Sequence, residues 1–217
     1  MMSIQPYGGL RHHLLLLFLG LIIPASLSKE IKCHPDDLKA LLRIKAAFGN
    51  PYTLASWTGT NCCSWYCVEC KSTNHRINQL TIFDTELSGQ IPDAVGDLPY
   101  LEMIDLNNLS NVTGPIPAVL GKLKRLNFLR LNYLNLTGSI PPSLGQLKQL
   151  TLLDVNNNQL TGRIPRELTG LSKLYVLDLS SNQLCGKIPV GGKLQAMPPS
   201  SYSNNKCLCG APLQSCK

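Results

Sequence analysis

A motif that recurs about every 24 residues constrains the fold of this chain more than any other feature. A glycine stands at positions 89, 114, 138, 162 and 186, and an Ile-Pro pair follows each of these glycines at the same offset. Alternating apolar residues precede each glycine, as at Leu129 and Leu131. Units of this length in one register are typical of repeat proteins, whose units bury their apolar faces only against each other. The sequence therefore predicts one elongated domain of five stacked units.

The unit is identified as a leucine-rich repeat, and its Gly-x-Ile-Pro form resembles the plant extracellular subtype. In one unit, the two-residue period of a strand points Leu153 and Val155 inward and Leu152, Asp154 and Asn156 outward. The predicted fold is an α/β solenoid, curved, with parallel strands on its concave face and disulfide-linked caps at both ends.

An asparagine inside the solenoid is expected to hydrogen-bond neighbouring turns. Asn158 and Asn182 occupy this position in two repeats. By the spacing of the repeats, the equivalent positions hold Thr85, Ser110 and Leu134, so we expect an incomplete ladder of asparagines.

The two ends of the chain depart from the repeat. We expect a signal peptide at residues 1–28, an amino-terminal cap at 29–75, the five repeats at 76–189 and a carboxyl-terminal cap at 190–217. In the first cap, Pro35-Asp36-Asp37 is expected to start a helix that ends at Gly49 and Pro51. Its predicted apolar stripe comprises Leu38, Leu41, Leu42, Ile44 and Phe48.

The amino terminus has the pattern of a secretory signal. Arg11 precedes an apolar run from Leu14 to Ile23, and small residues at Ser26 and Ser28 suit cleavage before Lys29. The run has about half of the roughly twenty residues that a membrane-spanning helix needs. We therefore expect a secreted, extracellular protein without a membrane span.

The nine cysteines all lie in the predicted caps or in the last repeat. The segment from Cys67 to Cys70 matches a redox Cys-x-x-Cys motif, and the cluster around it could in principle bind zinc. The secretory context favours structural disulfides, which are most useful at the ends of a repeat stack, where fraying begins. We predict no metal site, and the odd count leaves one thiol unpaired or bonded to another chain.

Charge and sequons suggest extracellular modification and partners. Sequons begin at Asn108, Asn111 and Asn135. The net charge of +7 suggests an acidic partner, but nucleic acid is excluded by the location and by the lack of aromatic residues among the lysines. An acidic wall polysaccharide such as pectin would meet basic residues outside the strands, and a merely solvated surface is the alternative. The pectin assignment rests on Lys122, Lys124, Arg125 and Lys148.

Strand alternation predicts three outward columns on the concave face, and we expect them to bind a protein partner. An exposed apolar column rimmed by polar residues is typical of such surfaces. The assigned residues are Phe83, Met103, Asp105, Asn107, Phe128, Arg130, Asn132, Tyr133, Leu152, Asp154, Asn156, Val176, Asp178 and Ser180.

Catalysis and cofactors are not expected. His34 and His75 are the only histidines after residue 28, and both belong to the amino-terminal cap. The row of Asp105, Asp154 and Asp178 could suggest glycoside hydrolysis, but Arg130 interrupts it and an open face does not exclude water.

The chain after residue 28 closely resembles plant polygalacturonase-inhibiting proteins over essentially its whole length, most specifically in its two caps. The resemblance rests on the cysteine cluster from Cys62 to Cys70, the segment Ser88 to Leu101 (SGQIPDAVGDLPYL) and the tail from Leu184 to Leu213. It implies the disulfides Cys33–Cys62, Cys63–Cys70, Cys185–Cys207 and Cys209–Cys216, with Cys67 unpaired. It also implies a cell-wall protein that binds fungal polygalacturonases through its concave face in plant defence, with some affinity for pectin.

The resemblance leaves the function open because such proteins carry about ten repeats and this chain has five. One alternative is a soluble signalling or decoy partner of a receptor ectodomain, since plant receptor ectodomains often have about five repeats. Another is a shortened copy that has lost inhibition. Ice binding is a further alternative, although the apolar column beside Asn107, Asn132 and Asn156 spoils a regular ice-like array.

Overall fold

The computed structural model of the protein describes residues 33–217. The expected signal peptide and the first four residues of the expected amino-terminal cap lie outside this range. Within it, one α-helix, α1, spans Pro35–Ala47. Twelve strands follow: β1 (Val68–Cys70), β2 (Ile77–Phe83), β3 (Gly89–Gln90), β4 (Met103–Asn107), β5 (Val112–Pro115), β6 (Phe128–Arg130), β7 (Asn135–Thr137), β8 (Leu152–Asp154), β9 (Thr161–Gly162), β10 (Val176–Asp178), β11 (Gln183–Lys187) and β12 (Cys207–Cys209).

Helix α1 forms where the sequence predicts it. The Nδ1 atom of His34 accepts a hydrogen bond from the backbone N–H of Asp36 at 3.3 Å, and Pro35 occupies the first turn, where no backbone donor is needed. Leu41 and Ile44 are fully buried against the repeats. The prediction that Leu42 belongs to the apolar stripe is wrong, because its side chain is 43 % exposed. The buried face of the helix is formed by Ala40, Leu41 and Ile44, and Leu42 points about 100° away from Leu41 on the side opposite to Ala40, beyond the edge of that face.

The main sheet has six strands in the order β1-β2-β4-β6-β8-β10. Strand β1 pairs antiparallel with β2, and every later pair is parallel, so each repeat adds one strand. The inward residues at the centres of these strands are buried in one continuous core: Leu80, Ile104, Leu129, Leu153 and Leu177. The parallel solenoid predicted from the repeat is confirmed.

Two three-stranded sheets flank the main sheet, with strand orders β3-β5-β7 and β9-β11-β12. Each of the first four repeats also makes a short 3₁₀ turn after its Ile-Pro pair, at Asp93–Asp97, Ala118–Lys122, Pro142–Gln146 and Arg166–Gly170. The repeat glycine has a left-handed backbone, with φ of +80° at Gly114 and +74° at Gly138, which explains why glycine recurs there.

The asparagine ladder stabilises the turn that follows each strand. The Asn158 side chain donates to the carbonyls of Leu131 at 2.7 Å and Val155 at 3.1 Å, and accepts from the N–H of Leu136 at 2.9 Å. Asn182 repeats these contacts one turn later, which confirms the prediction for both residues. Asn205, in the carboxyl-terminal segment, continues the ladder by donating to the carbonyl of Leu179 at 3.0 Å.

One predicted ladder position is wrong. Asp105 pairs with Arg130, so the residue equivalent to Leu134 is the buried Leu109 and not the exposed Ser110. The extra residue of the 25-residue interval between Gly89 and Gly114 therefore lies after Leu109. The interval shows that an insertion exists, but it does not locate the insertion within the repeat.

Replacing Asn158 with alanine is expected to lower the free energy of unfolding by about 1–3 kcal/mol, because buried backbone groups of two turns lose their partner. The exposed Gln183, which lies in the next repeat and outside the ladder, serves as control, and its alanine variant should change stability by less than about 0.5 kcal/mol. Urea denaturation with the disulfides intact measures both. Equal effects of the two variants would contradict a structural role for the ladder.

Four disulfides cross-link the two ends of the solenoid: Cys33–Cys62, Cys63–Cys70, Cys185–Cys207 and Cys209–Cys216. These are the pairs that the family resemblance implies. Cys67 is the free cysteine among residues 33–217, and burial raises the pKa of its thiol to about 11. The thiol is therefore protonated at neutral pH and a poor nucleophile.

A buried ion pair fastens helix α1 to the first repeat. Asp37 is 1 % exposed and accepts from Nε and Nη2 of Arg76 at 2.9 and 2.6 Å, and from the backbone N–H of Ile77 at 2.9 Å. These hydrogen bonds, with the Coulomb attraction of Asp37, raise the pKa of Arg76 despite its partial burial. The Arg76 guanidinium also lies 4.3 Å from the ring centre of Tyr100. The pair therefore links the cap to the solenoid at its first strand.

Candidate functional site

The concave face consists of the outward residues of the parallel strands of the main sheet and the residues that directly follow these strands. Strand pairing places Gln79, Met103, Phe128, Leu152 and Val176 side by side, and likewise Thr81, Asp105, Arg130, Asp154 and Asp178. Phe83 and Asn107 pair in the same register and start the third column. The alternation predicted from the sequence is thus confirmed for the paired positions.

The first column gives the concave face an apolar stripe. Met103, Phe128 and Leu152 are half-buried by one another, and Val176 is exposed at the end of the row. Neighbouring parallel strands lie about 4.8 Å apart, so these side chains are in van der Waals reach of each other. Phe83, in the third column, is also exposed. The exposed part of the stripe is available to a partner without any change in the core.

The second column is a chain of charges around Arg130. Its Nη1 donates to Oδ2 of Asp105 at 3.0 Å, its Nε lies 3.8 Å from Oδ2 of Asp154, and its guanidinium lies 4.8 Å from the ring centre of Phe128. Asp105 points outward as predicted, yet it is only 8 % exposed because Arg130 and Asn107 cover it. The sequence could not show that Arg130 is held between two carboxylates.

Amides of the third column orient these carboxylates. Nδ2 of Asn132 donates to Asp154 at 3.0 Å, and Nδ2 of Asn156 donates to Asp178 at 2.9 Å, each across to the next repeat. Asn107 donates to Asp105 within one strand at 2.7 Å. The acidic groups therefore have fixed positions before any partner arrives, which lowers the entropy cost of binding.

Asp154 is a carboxylic acid of the concave face with a raised pKa. Burial is the main cause that raises its pKa, and the nearby charge of Asp178 raises it further. The backbone N–H of Asn156, which donates to Asp154 at 3.1 Å, and the charge of Arg130 act in the opposite direction. Because burial outweighs them, Asp154 gains a proton at a higher pH than an ordinary aspartate does.

Tyr133 has an unusual backbone for its residue type. It has φ of +51°, as do the residues at the same place in the other repeats: Asp84, Asn108, Asn157 and Ser181 have φ of 51°, 52°, 51° and 54°. Small polar residues tolerate this left-handed region, whereas a bulky residue there is a genuine outlier. Tyr133 is nevertheless 55 % exposed, so core packing does not explain its presence. Strain at an exposed aromatic residue suggests a binding role.

Tyr133 borders an open cleft of about 420 Å³ on the concave face. Its lining comprises Asp84, Asn107, Asn108, Arg130, Asn132, Tyr133 and Asp154. Asp84 was not among the residues predicted for the site, because it follows the strand and does not take part in the strand alternation. The small polar residue that directly follows the strand in four of the five repeats was the sequence signal that could have identified it. A wide polar cleft of this kind fits a protruding group of a larger partner better than an enclosed small molecule.

Within residues 33–217, the one group of side chains spaced closely enough to hold a metal ion comprises Cys62, Cys63 and Cys70. All three are bonded in disulfides, so they offer no thiolate ligands. The two histidines of this range, His34 and His75, lie in the amino-terminal segment, away from the concave cleft.

Two of the four basic residues assigned to pectin have a structural role. Lys124 donates to the carbonyl of Gly121 at 2.6 Å, and Lys148 donates to the carbonyls of Gly145 at 2.7 Å and Gly170 at 3.0 Å. Both lysines thus satisfy carbonyls at the ends of 3₁₀ turns. Lys122 and Arg125 are exposed, with no carboxylate within 4 Å among the described residues.

Comparison with protein families supports the repeat assignment. The family described as "Leucine rich repeat N-terminal domain" matches residues 34–71. The family "Leucine Rich Repeat" matches residues 125–147, 149–171 and 173–192. No helix within residues 33–217 is both long and apolar enough to cross a membrane.

Individual relatives fall into two groups. A polygalacturonase inhibitor of Vitis vinifera is 57 % identical over 121 residues, which is 55 % of this chain and 36 % of the relative, and one of Pyrus communis is 54 % identical over the same shares. The chain therefore spans about a third of the length of the curated relatives it matches. The structure of the BIR2 ectodomain of Arabidopsis thaliana is 33 % identical, with a TM-score of 0.76, over 83 % of this chain and 98 % of that one.

Proposed function

We propose that this chain, which belongs to the leucine-rich-repeat proteins and is similar to plant polygalacturonase inhibitors, binds a fungal polygalacturonase through its concave face and inhibits the enzyme by occlusion. The proposal includes action outside the plant cell, in the wall, as part of defence. The class of the partner enzyme, a polygalacturonase, is taken from the names of the relatives. The observation that supports the proposal is the fixed row of carboxylates beside an exposed apolar stripe.

The charge of the concave face is opposite to that of the whole protein. The concave face has one guanidinium, that of Arg130, and four carboxylates, although the chain has a net charge of +7: Asp84, Asp105, Asp154 and Asp178. An enzyme that cleaves an acidic polysaccharide must hold its substrate with cationic groups. An acidic surface of fixed geometry is complementary to such a substrate cleft, and a partner bound there excludes the polysaccharide.

A stable complex sets a minimum size for the binding face. A standard protein interface buries about 800 Å² on each partner. Five parallel strands at about 4.8 Å spacing present a row about 20 Å long. The apolar stripe and Tyr133 supply the aromatic and apolar anchors that dominate binding energy, and the carboxylates supply steering and register.

Substitution of Asp154 by asparagine tests this proposal, because it removes a charge and nearly preserves shape. We expect polygalacturonase affinity to fall by at least about tenfold, mainly through a slower association rate. Asp93→Asn makes the same change at an exposed residue of a 3₁₀ turn, away from the concave face, and should leave affinity unchanged. Surface plasmon resonance on unglycosylated protein measures both rates. Equal affinities for the two variants would place the binding surface elsewhere.

Partner binding is expected to weaken on acidification, starting at a higher pH than an ordinary aspartate would produce. The raised pKa of Asp154 means that the folded state binds this proton more tightly than the unfolded state. As the pH falls through the raised pKa, the fold therefore gains stability relative to Asp154→Asn, while the face loses one negative charge. The affinity for polygalacturonase and the free energy of unfolding are measured between about pH 3 and pH 7, a range that includes the ordinary pKa of aspartate. The first should fall on acidification, and the second should rise relative to Asp154→Asn. Identical profiles for wild type and Asp154→Asn would contradict the assignment.

A second candidate is a soluble partner or decoy of a receptor ectodomain. It is favoured by the similarity to the BIR2 ectodomain, because the chain covers 98 % of that structure but only about a third of the inhibitor relatives. Binding to a panel of plant receptor ectodomains, with no inhibition of any polygalacturonase, would favour this candidate. A weaker proposal concerns pectin, for which Lys122 and Arg125 remain the best-placed cations.

A further inference from the structure

The three sequons of the chain lie in different surroundings. Asn108 lines the concave cleft together with Arg130 and Tyr133, whereas Asn111 and Asn135 do not line it. The amide nitrogen of Asn108, to which a glycan would be attached, donates to Oδ1 of Asp84 at 2.6 Å. A glycan on this atom would therefore begin inside the cleft.

The other two sequons differ from Asn108 in their contacts. Asn111 is exposed, and it directly precedes β5 of a flanking sheet rather than following the main sheet. Asn135 lies in β7, where Nδ2 donates to the carbonyl of Ser110 at 2.5 Å and Oδ1 accepts from Gln159 at 3.0 Å. A glycan at either position starts from a flanking sheet, outside the cleft.

We propose that Asn108 is a glycosylation site whose occupancy closes the concave face to protein partners. The inference rests on the proposed function for its consequence, but the shielding itself can be measured without a partner. Even the first sugars of an N-linked glycan would fill a cleft of about 420 Å³. Tyr133 and Arg130, which lie in the next repeat, line the same cleft and would be covered by these sugars.

The modification is an ordinary transfer from a lipid-diphosphate-linked oligosaccharide. The Asn108 amide nitrogen forms a bond to the anomeric carbon of the first sugar, and the bond from that carbon to the diphosphate oxygen breaks. The lipid diphosphate leaves with the bonding electron pair, and one amide proton passes to a base of the transferase. The modified amide nitrogen keeps one N–H.

Two sequon variants separate the sites without altering either asparagine. Ser110→Ala removes the sequon of Asn108, and Thr113→Ala removes that of Asn111, and both changed side chains are exposed. Each protein is secreted from plant cells, and peptide mass spectrometry gives the occupancy at each site. Hydroxyl-radical labelling of Tyr133 then reports access to the concave face, with the exposed Tyr52 of the amino-terminal segment as internal reference.

We expect a fraction of the secreted wild-type protein to carry a glycan on Asn108, and Tyr133 to be labelled more slowly in that glycosylated form than in Ser110→Ala, with Thr113→Ala like wild type; the unmodified fraction keeps the concave face open for the proposed inhibition. We also expect Ser110→Ala to inhibit a polygalacturonase while the form glycosylated at Asn108 does not. An unmodified Asn108, or equal labelling of Tyr133 with and without its glycan, would overturn the inference. Slower labelling of Tyr133 together with no inhibition by Ser110→Ala would support the shielding and refute the proposed function.

Discussion

The Tyr133→Asn variant is expected to be more stable than wild type and to bind polygalacturonase at least about thirtyfold more weakly, a loss of about 2 kcal/mol. The gain in stability is expected to be about 1 kcal/mol, because asparagine tolerates the left-handed backbone at this position better than tyrosine does. The loss in binding follows from removing an exposed aromatic ring at the edge of the cleft. Urea denaturation and surface plasmon resonance on the same unglycosylated preparation measure the two effects.

Asn157 provides a matched control because it has the same φ one repeat later. Asn157→Tyr should lower the free energy of unfolding by about as much as Tyr133→Asn raises it. Combined with Tyr133→Asn, it should not restore the affinity that Tyr133→Asn loses. A variant that gains stability and loses affinity would show that this residue is retained for recognition. Lower stability of Tyr133→Asn, or unchanged affinity, would contradict the role given to Tyr133.

The Asp37→Ala variant is expected to lose about 3–5 kcal/mol of unfolding free energy, because it leaves the Arg76 charge partly buried without its partner. The backbone N–H of Ile77 loses its acceptor at the same time. We expect the amino-terminal cap to detach from the first repeat before the rest of the solenoid unfolds. Hydrogen exchange of α1 and β2 detects such partial opening, and denaturation with intact disulfides gives the total change.

The neighbouring aspartate distinguishes the buried pair from a general effect of helix charge. Asp36 lies in the same turn of α1 with its side chain 80 % exposed, so Asp36→Ala should cost no more than about 1 kcal/mol. A loss of comparable size in both variants would mean that helix electrostatics, and not the ion pair with Arg76, holds the cap.

The repeat register allowed most of the fold and of the concave face to be predicted from the sequence. Strand alternation has a fixed period of two and the repeat a nearly fixed length, so the outward columns from Met103 to Val176 and from Asp105 to Asp178 follow from counting. The same counting wrongly assigned Ser110 to the asparagine ladder in place of Leu109, because an interval of 25 residues does not say where its additional residue lies.

Interactions between neighbouring repeats could not be predicted from the sequence. Counting placed Arg130, Asp105 and Asp154 in one column, but only coordinates show the guanidinium held between the two carboxylates. From the sequence, Lys124 and Lys148 are expected to form part of a basic surface patch. In the structure, their ammonium groups instead donate hydrogen bonds to backbone carbonyls. Such contacts depend on distances that a residue pattern does not contain. The left-handed backbone at Tyr133 was likewise invisible, since the residue type there argues against it.

Inhibition of fungal polygalacturonases by the unglycosylated wild-type chain tests the central claim most directly. The measurement follows the release of reducing ends from polygalacturonate while the folded, monodisperse protein is titrated against a panel of enzymes. We predict saturable inhibition of at least one enzyme at one protein per enzyme, lost in parallel in Asp154→Asn and Tyr133→Asn and retained in Asp93→Asn. Full enzyme activity at saturating protein across the panel would contradict the proposal that five repeats suffice for inhibition.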